Sequence, residues 1–456
     1  MNNTFFIALI VYLCVFIAIG ILDLKNIHNF TDYSVAGKNQ GTFAVVMTLM
    51  ATVVGASTTI GITDTVYKIG FPGIWWLAFG ALGLILQSLF LSGRVREIDA
   101  DTLPDLAGKT VDRSAEMLIA LIIVISWIGV IAGQLVAMNS LITYALGKSD
   151  RLVFLVVSLI VIVYTTIGGQ KSVVRTDKLQ LFLILFGVIV CACCLYFVVG
   201  GNTADVVKNI EFLNENYRPA NMFTQFFVIG GVYFLGPDIM SRNFISGNKE
   251  IARKSACISG FALLVFSVLI TFIGMWIRYN VTPEELGDSG ALLYAASMLP
   301  RFVTILLIFG LLSAILSSTD TCIINASTIF VKDILRKESV MGVRITVMVI
   351  GGLSLALALL GRGDIMSLLT GAYSIYTPGV IFPLMIAVYA YSGSGVRRGV
   401  WLAAVIVGGL FGLAGTYFGD VLAAVGVPEV ILQYLTLIGM GLSLVISLFS
   451  VKKKEA

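Results

Sequence analysis

The run GLLSAILSSTDTCIINAST (310–328) carries hydroxyls and a carboxamide through an otherwise apolar part of the chain. At about 100° per residue, a helix there places Ala314, Ser317, Ser318, Thr321 and Asn325 within about 100° of one another, with Asp320 roughly 120° away. A stripe of oxygens without imidazole suits a hard cation such as sodium. Further oxygens could come from VVGASTTIGITDT (53–65), where Gly and small polar residues crowd one apolar segment. If the backbone unwinds there, Ala56 and Thr59 offer main-chain carbonyls. Ser317 and Ser318 then offer hydroxyls, and Ala314 a carbonyl where its helix bond is loosened. The same stripe also has the composition of a Ser/Thr helix-packing face. The residues alone leave both readings open.

A third run, IGGVYFLGPDIMSR (229–242), has a Gly236-Pro237 break. Proline removes an internal hydrogen bond and glycine weakens a helix. A carbonyl freed in lipid must face protein, water or a ligand. Paired broken helices at matching places in two halves point to a binding site near the bilayer midplane. Packing glycines and a simple kink are the plainer alternative. Side chains positioned to line such a site are Thr58 and Thr63, Trp75 and Trp76, Trp127 and Gln134, Tyr233 and Phe234, and Tyr373 and Tyr376. Each also serves as ordinary bundle packing. Asp238 and Arg242, four apart, form a candidate ion pair.

The elements that must position these residues follow from composition. The chain has 456 residues, 58% hydrophobic and 12% charged, about half the charge of a soluble domain. Gly, at 46 residues, is enriched as in membrane bundles. A span needs about 20 apolar residues. The predicted spans are 5–23, 42–66, 72–92, 115–146, 152–168, 177–200, 223–245, 253–277, 290–333, 342–360, 365–391, 398–418 and 428–450. An all-α membrane protein with about thirteen transmembrane helices is therefore expected. With the N-terminus outside and the C-terminus inside, most Lys and Arg fall on the inner side. They include Lys25, Lys38, Arg94, Arg96, Lys171, Lys249, Lys332, Arg397, Lys453 and Lys454.

Residues 1–24 form a leading helix, without the basic start and cleavage site of a signal peptide. Residues 25–391 form a ten-helix core, with five-helix halves at about 42–200 and 223–391. Because five is odd, the second half enters from the opposite side, as inverted repeats do. Residues 392–456 add two accessory helices and a basic tail. The cysteines Cys14, Cys191, Cys193, Cys194, Cys257 and Cys322 read as small apolar packing, and His28 is the one histidine. No metal or nucleophile–base set for an enzyme is visible, and no basic patch for nucleic acid.

Four stretches together resemble the sodium/solute symporter family: FTDYSVAGKN (30–39), ATVVGASTTIG (51–61), GGQKSVVRTDKLQ (168–180) and SAILSSTDTCIINAST (313–328). The resemblance runs from about residue 5 to residue 391. It implies a leucine-transporter-type fold, with ten core helices in two inverted repeats, and alternating access. It also implies one principal sodium site, made by Ala56, Thr59 and Ala314 through main-chain oxygens and by Ser317 and Ser318 through hydroxyls. Some relatives have a second sodium site. Its residues here would be Asp177 with Ser317, Asp320 and Thr321, and the extra carboxylate of Asp320 would equally suit a proton. Thr176-Asp177 also reads as a helix start.

The expected function is sodium-coupled import of a small organic solute, an amino acid, monocarboxylate or similar. The ion is cargo and no organic cofactor is implied. A multi-pass protein of a prokaryotic plasma membrane is expected, with the bilayer and the solute as partners and a monomer sufficient for transport. A proton-coupled carrier on the same fold and a non-transporting membrane sensor are the alternatives.

Overall fold

Long apolar runs can cross lipid only by closing their own backbone hydrogen bonds, which favours helices throughout. The computed structural model describes residues 2–23, 27–287, 290–361 and 363–452, and their regular structure is helical, with no strand. Lys25, Lys453 and Lys454 lie outside the described residues.

The helices are α1 (Asn2–Asp23), α2 (Phe30–Val35), α3 (Thr42–Val53), α4 (Ile62–Ile69), α5 (Trp75–Phe90), α6 (Ser92–Ile98), α7 (Leu103–Thr110), α8 (Arg113–Leu146), α9 (Arg151–Cys194), α10 (Thr203–Lys208) and α11 (Pro219–Leu235). There follow α12 (Pro237–Ile245), α13 (Lys249–Asn280), α14 (Pro283–Leu286), α15 (Ala291–Met298), α16 (Arg301–Ile329), α17 (Val340–Leu359), α18 (Ile365–Ala390), α19 (Arg398–Tyr417), α20 (Gly419–Ala424) and α21 (Glu429–Ser450). Among the described residues, 10 helices are long and apolar enough to cross a membrane. The bent pair Thr42–Val53 and Ser57–Ile69, at 59°, brings the count to 11.

Three breaks shape the bundle. The first separates α3 from a five-residue stretch of wider winding, Ser57–Gly61, that leads into α4. The second is at Gly236, between α11 and α12. The third lies inside α9 at Gly169 (φ 59, ψ −171). There a side chain would be strained by the positive φ, and its Cβ would lie 2.6 Å from the Tyr33 ring. Tyr33 Oη donates to Thr166 O, 3.0 Å away, which satisfies a carbonyl freed by that break. Two of the stretches that carry the family resemblance therefore meet here, and Asp32 and Lys171 also pair, at 3.6 Å.

Two expectations change. The helix after Gly169 already contains Asp177 in its interior, so Thr176-Asp177 is not a helix start; Thr176 Oγ1 donates back to Ser172 O and Val173 O. The predicted span 290–333 is two helices, because Leu299 and Pro300 turn extended between α15 and α16.

The helices pack in two groups. In one, α5 lies against α11 and α13, and α13 against α4; in the other, α16 lies against α8 and α9, and α17 against both; α3 lies between them, against both α13 and α9. Glycine permits the closest approaches. A Cβ on Gly83 of α5 would lie 2.4 Å from Gly230 O of α11.

At one end of the bundle, charged side chains tie the groups together. Asp101 pairs with Lys38, at 2.5 Å, and with Lys332. Lys332 also reaches Asp105 at 3.2 Å. Burial raises the Asp101 carboxyl, but Lys332 and Lys38 outweigh it and hold the group below its ordinary value. A carboxyl lowered in the folded state stabilises above its unfolded pKa, near ~3.9, and loses that contribution as pH falls through the folded value. Unfolding midpoints of wild type and Asp101→Asn should therefore differ at pH 7, with wild type higher, and converge as pH is lowered below about 4.

Candidate functional site

At the first break, the main-chain groups released by α3 find partners one by one. Ser317 Oγ donates to Ala51 O at 2.7 Å, and Ser318 Oγ to Thr52 O at 2.9 Å. Thr58 Oγ1 donates to Val53 O at 3.0 Å. Ala56 N–H donates to Gln134 Oε1 at 3.1 Å. The first half-helix thus leans on α16, and a Cβ on Gly55 would lie 2.3 Å from Ser318 Oγ.

The predicted polar stripe is therefore real in geometry and fully buried at Ala314 and Ser317. The carbonyls that meet its serines are those of Ala51 and Thr52. Ala56 and Thr59 lie past the break, and the Thr59 hydroxyl returns to Gly55 O at 2.8 Å. Thr63 likewise turns back to Thr59 O, at 2.7 Å.

The second break is capped by side chains from neighbouring helices. Gln87 Nε2 donates to Phe234 O at 3.1 Å, and Tyr376 Oη to Leu235 O at 2.5 Å. Sequence reasoning passed over Gln87. Its signal was a carboxamide inside an apolar span, at the depth of a broken neighbour. Tyr376 proves to be a backbone cap.

Between the breaks lies a cavity of about 40 Å³ lined by Gly55, Ser57, Gln134, Tyr233, Asp238, Ser318, Cys322 and Tyr373, among others. Gln134, Tyr233 and Tyr373, three of the side chains expected to line a solute site, border this cavity. Trp127 stands behind, its indole N–H donating to Asp238 Oδ2 at 2.7 Å. Trp75 instead bonds Phe212 O at 2.9 Å, Trp76 lines a separate cleft of about 680 Å³, and Phe234 lines an apolar groove with Phe90 and Tyr389. Met366 borders that cleft and another of about 850 Å³, and it packs on Gly61; Leu369, one turn on, lines the central cavity. A single turn of α18 thus separates the clefts from the cavity.

Arg242 does not pair with Asp238. It is 1% exposed and reaches Thr52 Oγ1 at 2.5 Å, Thr321 Oγ1 at 2.7 Å and Asp177 Oδ2 at 3.4 Å. Thr48 Oγ1 also donates to Asp177. Asp320 is equally buried and accepts from Thr165 at 2.5 Å. The guanidinium therefore stands between two of the groups around which a second sodium was expected, Asp177 and Thr321, and Asp320 lies apart from it.

A profile of the Sodium:solute symporter family matches residues 33–408. The chain belongs to the sodium:solute symporter family. Curated relatives include the sodium/proline symporter of Escherichia coli, 24% identical over 443 residues, covering 89% of this chain and 88% of that one. The sodium/pantothenate symporter of Haemophilus influenzae is 26% identical over 67% of this chain and 66% of its own length. The high affinity choline transporter 1 of Homo sapiens is 26% identical over 89% of this chain and 75% of that one. Among solved structures, the substrate-bound outward-open state of a Na+-coupled sialic acid symporter superposes with a TM-score of 0.80 at 18% identity, covering 99% of both chains. A nucleobase-cation-symport-1 family transporter in a closed conformation superposes at 0.61 with 12% identity. The symporter is a multi-pass membrane transporter that couples solute to sodium, and the enzyme reading is excluded by family.

Replacing Tyr376 with Phe removes the donor that satisfies Leu235 O in a buried site. Such a loss costs about 1–3 kcal/mol. The symporter carrying Tyr376→Phe should unfold at a lower midpoint than wild type, and equally so in sodium and in potassium.

Proposed function

We propose that this symporter binds its driving sodium between the end of α3 and the middle of α16. The ligands are main-chain oxygens at Ala51 and its neighbours before the break, the Ala314 carbonyl, and the hydroxyls of Ser317 and Ser318. This set shares its α16 ligands with the one the family resemblance implies, which takes its remaining main-chain oxygens from Ala56 and Thr59. The supporting observation is the pair of hydroxyl–carbonyl contacts, 2.7 and 2.9 Å, between α16 and the end of α3. A hard cation bound there would exchange each contact for ion–oxygen attraction, and would hold α3 and α16 against each other through shared ligands.

One sodium per cycle is our reading. The side chains that would hold a second one, Asp177 and Thr321, already serve the Arg242 guanidinium. A tenfold sodium gradient is worth about 1.4 kcal/mol, and a potential of 100 mV adds about 2.3 kcal/mol per charge. One ion therefore suffices for accumulation of several hundred-fold.

The solute site is the central cavity between the two breaks, with Gln134, Tyr233 and Tyr373 at its walls. At about 40 Å³ it is far below the ~300 Å³ of ordinary ligand pockets. The described form is thus closed around the site, and transport alternates which end opens. Dividing the 49-residue segment Arg151–Val199 at Gly169 and counting α1 gives about thirteen spans. We assign ten of these to inverted repeats at 42–200 and 223–391, with residues 1–24 leading and 392–456 accessory. The N-terminus lies outside, the C-terminus inside, and one protomer contains the whole pathway.

Thermal unfolding of the purified protein, in sodium and in potassium at equal ionic strength, tests the ion site. Sodium at about 100 times its dissociation constant stabilises by about 2.7 kcal/mol, so the midpoint should rise in sodium alone, and Ser317→Ala should abolish the rise. Equal midpoints in both salts across a wide concentration range would sink this reading.

A further inference from the structure

We propose that Asp238 recognises a positively charged amine or ammonium group on the transported solute. The inference rests on the central cavity being the solute site, and it names the chemical class that site selects.

Asp238 opens the half-helix α12, just after the Gly236-Pro237 break, and its side chain lines the cavity. The carboxylate receives an N–H from Trp127 at 2.7 Å, an N–H from Asn325 at 3.2 Å and the Cys322 thiol at 3.4 Å. All three partners are neutral donors. They hold the carboxylate in place and solvate its charge with dipoles, but they do not cancel that charge. The nearest guanidinium, Arg242, makes its ion pair with Asp177 and donates to Ser241, Thr52 and Thr321, with no hydrogen bond to the Asp238 carboxylate. An ionised group inside a membrane bundle is costly to retain. A cationic solute moiety would supply the compensating charge.

The alternative cargo, an anion, meets a poor site. Broken helices attract carboxylates through free N–H groups and the positive end of the second half-helix. Here Ala56 N–H already serves Gln134. The positive end of α12 already carries a resident carboxylate, which would repel a second. The walls also fit an organic cation. Tyr233 and Tyr373 line the cavity, and Trp127 packs against Tyr373 and Tyr376 with ring centroids 6.2 and 5.2 Å apart. Aromatic faces attract ammonium groups, whereas a bare sodium ion favours oxygen ligands.

The test uses the full chain in detergent and four probes: choline, tetramethylammonium, L-proline and pantothenate. Unfolding midpoints are read with each probe, in sodium and in potassium, for wild type, Asp238→Asn and Asp238→Glu. At least one of the three probes that carry a cationic nitrogen (choline, tetramethylammonium and zwitterionic L-proline) should raise the wild-type midpoint, and pantothenate should not. Asp238→Asn should weaken the apparent affinity for the responding probe by at least about tenfold, as expected for loss of one partner of a buried charge pair. Asp238→Glu should retain more of the response than Asn does. The midpoint rise caused by sodium alone should persist in both variants. A wild type that answers to pantothenate, or to none of the three probes with a cationic nitrogen, overturns the proposal. So does an Asp238→Asn protein that binds amines like wild type, or one that loses the sodium-only rise, which would assign the carboxylate to the ion. If Asp238→Asn does not fold, the wild-type panel and Asp238→Glu still decide. Absence of any sodium effect in wild type counts against the ion site alone, because the probes are also read in potassium.

Discussion

A main-chain carbonyl without a partner in hydrocarbon costs several kcal/mol, and this symporter breaks helices in the middle of its bundle. Everything around the site follows from satisfying the groups those breaks release. Ser317 and Ser318 take up Ala51 and Thr52, Gln134 takes up Ala56, Gln87 takes up Phe234, and Tyr376 takes up Leu235. Each cap comes from a different helix than the one it serves. The caps therefore fix the relative placement of α3, α5, α8, α11, α16 and α18, and local backbone chemistry becomes tertiary specificity.

The same arrangement makes the site polar. In the ion site we propose, a cation would take the place of the hydroxyl–carbonyl contacts between α16 and α3. On α12, Asp238 and Arg242 lie about one turn apart yet face different surroundings. Asp238 looks into the cavity, and Arg242 reaches Thr52 of α3, Asp177 of α9 and Thr321 of α16. A displacement of this short half-helix moves both at once. That gives a physical link between the cavity and the neighbourhood of the α3 break, without any requirement for a long chain of intermediates.

Glycine and charge set the limits of that motion. Gly83 and Gly230 let α5 and α11 touch through their backbones, which leaves little room to slide. At one end of the bundle, Lys38, Asp101 and Lys332 tie the segment before α3 to the end of α16. These contacts join the two helix groups outside the apolar layer, where water can compete for them.

The sequence by itself determined the class of molecule, because 58% hydrophobic and 12% charged residues leave no other way to bury the chain. It also determined where helices would break, since Gly236-Pro237 and the Gly55-to-Gly61 run act through local backbone energetics. Periodicity placed Ala314, Ser317 and Ser318 on one face, and the tertiary structure kept them there. Only the tertiary structure decided which carbonyls those serines meet. A helix face has a known direction, but the depth at which a second helix unwinds against it is set by packing, which brings Ala51 O and Thr52 O to Ser317 and Ser318. The tertiary structure alone decided that Arg242 turns to Asp177 and leaves Asp238 in the cavity, because four-residue spacing permits a pair but burial and competing donors choose the partner.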